Sequence, residues 1–116
     1  MRHFLKFRKF NFDNNYKKSL FINLSNSLIK YEFLKTSLSK AKELRIFLEP
    51  LINISKNFSD FNFKFLIRKI KNINSIFKLF KIIAPRYFYR NGGYLKIYKY
   101  GFKKGDNSPL SFIIFS

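Results

Sequence analysis

Positive charge runs along this 116-residue chain with almost nothing to balance it: 24 Lys and Arg stand against six Asp and Glu, a formal net charge of +18. A small body carrying that charge repels itself, so the compact state gains from a polyanion that screens it. Surface charge kept for solubility needs only about 2–8 net charges on a small domain, usually with both signs interspersed. The excess therefore predicts a nucleic-acid partner ahead of an anionic membrane surface. The chain is nevertheless 47% hydrophobic, which separates it from a disordered basic tail. Its length suits one domain with one modest core over residues 1–116.

The same residues argue against several function classes. There is no cysteine, hence no disulfide framework, thiolate zinc site or cysteine nucleophile. One histidine, His3, and six carboxylates scattered as Asp13, Glu32, Glu43, Glu49, Asp60 and Asp106 offer no acid–base pair or metal-ligand spacing. The reading is a non-enzyme without cofactor, metal or small-molecule substrate. The longest uncharged run, Ser19 to Ile29, holds three serines and two asparagines and is about half the length of a membrane span. Phe, Tyr, Ile, Asn and Lys, all read from A/T-rich codons, make up 68 of the 116 residues, so a single phenylalanine is a weak sign of function.

Periodicity sets the expected architecture. Residues 1–12, MRHFLKFRKFNF, mix Phe with Lys and Arg in every register and read as an extended basic arm preceding a body over 13–116. Asp13, Asn14 and Asn15 supply N-cap chemistry for a helix over about 14–31, with Tyr16, Leu20, Leu24 and Leu28 as its apolar stripe. Lys17 and Lys18 fall in its first turn, where the helix dipole disfavours cations. A short strand is expected within Glu32–Ser37. A second helix, capped by Ser37 or Ser39, has Leu38, Ala41, Leu44, Leu48, Leu51 and Ile52 on one face, and Pro50 should kink or restart it. Ser59 or Asp60 caps a third helix with Phe63, Leu66, Ile67 and Ile70 on its stripe and Arg68, Lys69 and Lys71 alongside. After an interruption at Asn72–Ser75, a fourth helix carries Ile76, Leu79, Phe80 and Ile83 and should end at Ala84, before Pro85. Tyr94–Tyr100 and Leu110–Phe115 read as strands of a hairpin joined through Lys103-Lys104-Gly105. The expected fold class is α+β: a small three-stranded mixed sheet packed against about four helices.

Four segments resemble a known family. The chain opens Met1-Arg2-His3 and continues with Arg8-Lys9. TSLSKAKELRIFLEPLINISK, Thr36 to Lys56, is similar to the family pattern TTLxKAKELR…EPLITLAK. LFKIIAPRY, Leu79 to Tyr87, resembles a helix ending at Ala-Pro-Arg. RNGGYLKIYKYGFKKGDNSPL, Arg90 to Leu110, is similar to RxGGYTRILKxGxRxGDxAPM. In this order they resemble the bacterial-type large-subunit ribosomal protein numbered seventeen. The resemblance implies a structural constituent of the large subunit, cytoplasmic on the ribosome. It implies binding to large-subunit rRNA on the solvent side near the nascent-chain tunnel exit, beside neighbouring ribosomal proteins, and an α+β fold with a three-stranded sheet. The chain departs from the family in its arm, where Phe4, Leu5, Phe10 and Phe12 dilute the basic residues, and in carrying Lys at Lys96 and Lys103.

The expected phosphate contacts are Arg2, Lys6, Arg8, Lys9, Lys17, Lys18, Lys40, Lys42, Arg45, Arg86, Arg90, Lys96, Lys99, Lys103 and Lys104, with His3 stacking or hydrogen bonding in an rRNA crevice. Tyr94, Tyr98 and Tyr100 offer either sheet packing or base stacking, with packing favoured. Asp106, in a Gly-Asp-Asn turn, reads as a turn cap. The rival readings are a cationic amphipathic protein of membrane surfaces and an RNA-binding protein outside the ribosome.

Overall fold

The structure, a computed structural model, describes residues 14–116. The arm over 1–12 and the Asp13 cap lie outside the described residues. Helix α1 (Asn14–Tyr31) leads through Glu32 into strand β1 (Phe33–Ser37), which runs directly into α2 (Leu38–Ser55). Then follow α3 (Asp60–Ile70), α4 (Ile73–Lys78), a π-helical turn (Leu79–Ile83) and a last helical turn, α5 (Ala84–Arg86). Strands β2 (Leu95–Phe102) and β3 (Pro109–Phe115) form the expected hairpin. The order is that of an α+β fold.

Helix starts and stops have local causes. Ser37 caps α2 by accepting from Lys40 N at 3.4 Å, and Ser59 caps α3 by accepting from Asn62 N at 3.1 Å. Lys71 adopts left-handed backbone (φ 62°) and closes α3, after which the Asn72 side chain accepts from Asn74 N and Ser75 N and starts α4. The interruption is thus two residues rather than the four expected. Glu32 (φ 59°) makes the corresponding reversal between α1 and β1.

Two of the three prolines lie within helical backbone. Pro50 does not restart α2, which is helical on either side of it. Its position is exposed, opposite the buried stripe Ala41, Leu44, Leu48, Leu51, Ile52 and Ser55, so water can bond the carbonyl the proline leaves unpaired. Nor does the fourth helix stop at Ala84. The wider π turn, with Ala84 N donating to Leu79 O five residues back, relieves the crowding a proline ring imposes, and helical backbone continues to Arg86.

The sheet has the order β1-β3-β2 and is antiparallel throughout, not mixed. β1 and β2 do run in the same direction, but β3 lies between them, so no parallel ladder forms. The helices cover one sheet face. The core joins Phe21, Leu28 and Ile29 of α1 to the α2 stripe, Leu66 and Ile70 of α3, Ile76, Leu79 and Ile83, and Tyr87, Tyr94, Leu95 and Ile113. The stripe of α1 is rotated from the expected one: Tyr16 is exposed, Leu20 and Leu24 are half-buried, and Phe21, Ser25, Leu28 and Ile29 face inward. A four-residue repeat drifts around a 3.6-residue helix, and α2 and α3 decide which part of it is covered.

Candidate nucleic-acid interface

The cations gather in two places. In the first, Lys17 and Lys18 in the first turn of α1 line one groove of about 610 Å³ with Arg68, Lys69 and Lys71 at the end of α3. Asn15, Ser19, Phe21, Ile22 and Phe47 complete the described lining, which contains no carboxylate. Arg68 and Lys69 sit in the last turn of α3, where the dipole favours cations. That end of α3 is set beside the first turn of α1, where the dipole disfavours them. Arg68, Lys69 and Lys71 are absent from the expected phosphate contacts. Their signal is the run Arg68-Lys69-Ile70-Lys71 at a helix terminus, but that they meet Lys17 and Lys18 depends on α1 and α3 packing side by side.

In the second, Lys40 and Lys103 line a smaller groove with Lys35, Thr36, Ser37, Tyr100 and Asp106, at the end of the sheet where β1 enters α2 and the β2–β3 hairpin turns. The hairpin loop is closed by Lys103 N donating to Ser108 O at 2.8 Å and Asn107 N donating to Lys103 O at 3.0 Å. Asp106 caps it as expected: its Oδ1 accepts from Ser108 N at 3.2 Å. That bond, helped by the nearby Lys103 charge, holds the Asp106 carboxyl below its ordinary pKa. Lys104, exposed in the same turn, stands beside Lys103.

Two expected phosphate ligands are engaged within the protein. Arg86 Nη1 donates to Glu32 Oε1 at 2.5 Å, and Lys78 Nζ lies 3.1 Å from Glu32 Oε2. The Arg86 hydrogen bond, opposed by burial and reinforced by Lys78, lowers the Glu32 pKa. The same bond raises that of Arg86. Arg90 donates to Gly93 O at 3.3 Å and to the Ser116 hydroxyl, so it braces the Asn91-Gly92-Gly93 turn. The left-handed Gly93 (φ 65°) lets that turn fold back. Behind it, Glu49 Oε2 accepts from Tyr94 N at 2.7 Å, and the Tyr94 hydroxyl donates to Asn53 Oδ1.

Lys42 and Arg45 lie one turn apart on α2, half-buried and exposed respectively; Lys96 and Lys99 are exposed on β2. Arg2, His3, Lys6, Arg8 and Lys9 lie outside the described residues. Of the three tyrosines, Tyr94 is fully buried, whereas Tyr98 and Tyr100 stay on the sheet face that the helices leave open. Phe88 and Phe102 are exposed. Among the described residues no group of His, Asp and Glu could hold a metal ion, and no helix is long and apolar enough to cross a membrane.

A family model described as ribosomal protein L17 matches residues 20–116. That stretch contains three of the four segments on which the resemblance rests; Met1-Arg2-His3 and Arg8-Lys9 precede it.

Proposed function

This chain belongs to the ribosomal protein L17 family, a structural constituent of the large ribosomal subunit and not an enzyme, and from that premise we propose that it holds large-subunit rRNA by phosphate contacts and shape, near the tunnel exit and beside neighbouring ribosomal proteins. The observation that carries this reading is the α1–α3 groove, where Lys17, Lys18, Arg68, Lys69 and Lys71 converge without a carboxylate in the described lining. Such a cleft focuses positive potential on a backbone phosphate run. Binding releases counterions from the RNA and needs no base-edge reading, since the A-form major groove is closed to side chains. The Lys35, Lys40 and Lys103 cluster gives a second phosphate site at the hairpin end. Arg86 and Arg90 act mainly by bracing the fold, and the expected arm contacts Arg2, His3, Lys6, Arg8 and Lys9 extend the interface.

The membrane-surface alternative needs wide apolar helix faces free of a core, and here the buried stripes of α1, α2 and α3 are spent on one another. Co-sedimentation with large subunits, followed by protein–RNA crosslinking, tests the proposal. Crosslinks from the peptides carrying Lys17-Lys18 and Arg68–Lys71 to rRNA at the exit side are expected. Failure to co-sediment at moderate salt overturns it.

A further inference from the structure

The sheet face that the described helices leave open carries aromatic and cationic side chains on its two outer strands. Phe33 and Lys35 occupy it on β1, Lys96, Tyr98 and Tyr100 on β2, and Phe112 and Ile114 on β3. The register sets Lys35 and Tyr98 on either side of Phe112, and places Phe33 and Lys96 on either side of Ile114. Three rings make a tilted row across the strands: Phe33 to Phe112 is 5.3 Å between centroids at 33°, and Tyr98 to Phe112 is 5.2 Å at 28°. The ladder slips between Lys99 and Gly101, leaving Tyr100 as an extra residue whose ring lies 6.0 Å from Phe112. Lys35 Nζ stands 5.9 Å from the Tyr100 centroid. Phe33, Tyr98 and Tyr100 keep 42%, 44% and 48% of their surface exposed.

Cross-strand aromatic pairing alone stabilises a sheet, but it does not require rings left half open with ammonium groups between them. Among the described residues, no Asp or Glu lies on this face. Flat open rings stack on bases of any identity, and adjacent ammonium groups neutralise the phosphates that connect those bases. We infer that this sheet face is a stacking platform for unpaired RNA bases, with Tyr98, Tyr100 and Phe112 under the bases and Lys35 and Lys96 on the strand's phosphates. The inference deepens the rRNA reading and rests on it. Duplex RNA engages the α1–α3 groove by its backbone; a looped-out or single-stranded stretch engages the sheet.

The test compares the full chain with Tyr98→Leu, which keeps an apolar side chain but removes the ring stacked on Phe112. Binding to a short unstructured uridine oligomer and to an RNA duplex of equal length is measured at one salt concentration, with unfolding midpoints recorded alongside. The variant should lose about tenfold in single-strand affinity, a magnitude set by base–aromatic stacking on one ring, while its duplex affinity stays unchanged and its midpoint falls only slightly, through loss of the Tyr98–Phe112 pair. Unchanged single-strand binding, or an equal loss on both RNAs, overturns the platform and leaves that face to a neighbouring protein. If the unaltered chain binds neither RNA, the rRNA reading itself fails; if it binds both and the variant matches it, only the platform fails.

Discussion

The hydroxyl of Tyr94 accepts a hydrogen bond from Lys56 Nζ at 2.6 Å, across 38 residues of sequence. It donates to Asn53 Oδ1, while Lys56 also reaches the Arg90 carbonyl. One fully buried tyrosine thereby ties the end of α2 to the Asn91-Gly92-Gly93 turn and to the start of β2. The knot fixes where the hairpin leaves the helical layer, and so where Lys96, Tyr98 and Tyr100 are presented.

Tyr94→Phe removes the hydroxyl and keeps the ring. Asn53 Oδ1 then loses its donor and Lys56 one acceptor. The expected cost is about 0.5–1.5 kcal/mol, the net worth of a hydrogen bond whose remaining partner, Asn53, is exposed to water. Urea unfolding of the two proteins measures it; equal midpoints would show that water replaces the hydroxyl without loss.

Glu32 gives a pH-dependent contribution. Its carboxyl titrates below the ordinary glutamate value because Arg86 hydrogen bonds its charged form, with Lys78 adding to the effect. A carboxyl whose folded pKa is depressed contributes stability that is fully present above its unfolded pKa and is lost as pH falls through the folded one. Glu32→Gln should therefore lower stability at neutral pH by about 0.2–1 kcal/mol, as for solvent-accessible pairs. The difference from the unaltered chain should vanish as pH drops below the glutamate range. Thermal melts at stepped pH check this; a difference that persists in acid contradicts it.

The two basic clusters predict separate salt responses. Arg68→Ala/Lys69→Ala/Lys71→Ala should flatten the log–log salt slope of rRNA binding by about 0.7–0.9 for each phosphate no longer neutralised. Lys103→Ala/Lys104→Ala should do the same for the hairpin end. Because the clusters lie on different elements, the two effects should add. Binding titrations across a salt series read the slopes, and an unchanged slope removes that cluster from the interface.

Gly92 and Gly93 predict opposite outcomes for the same change. Neither has an atom within 4 Å of an added Cβ, but only Gly93 sits at positive φ. Gly93→Ala should cost about 1–2 kcal/mol for left-handed backbone, while Gly92→Ala should stay within about 0.5 kcal/mol of the parent. Chemical denaturation of both variants distinguishes backbone conformation from crowding.

The sequence by itself determined the sign and size of the charge, the succession of helices and strands, the hairpin, and the segments that mark the family. These are local or compositional: helix stripes repeat within one element, Ser37, Ser59 and Asp106 cap within three residues of themselves, and charge needs only counting. Only the tertiary structure decided which cations meet. It set Lys17 and Lys18 beside Arg68–Lys71, drew Arg86 onto Glu32, and kept Arg90 for a turn. It also buried Tyr94 while leaving Tyr98 and Tyr100 open, although all three lie in one short β-rich stretch. Periodicity says that an element has two faces; what covers each face depends on elements distant in sequence, and that packing is where the separation between core and exposed surface is made.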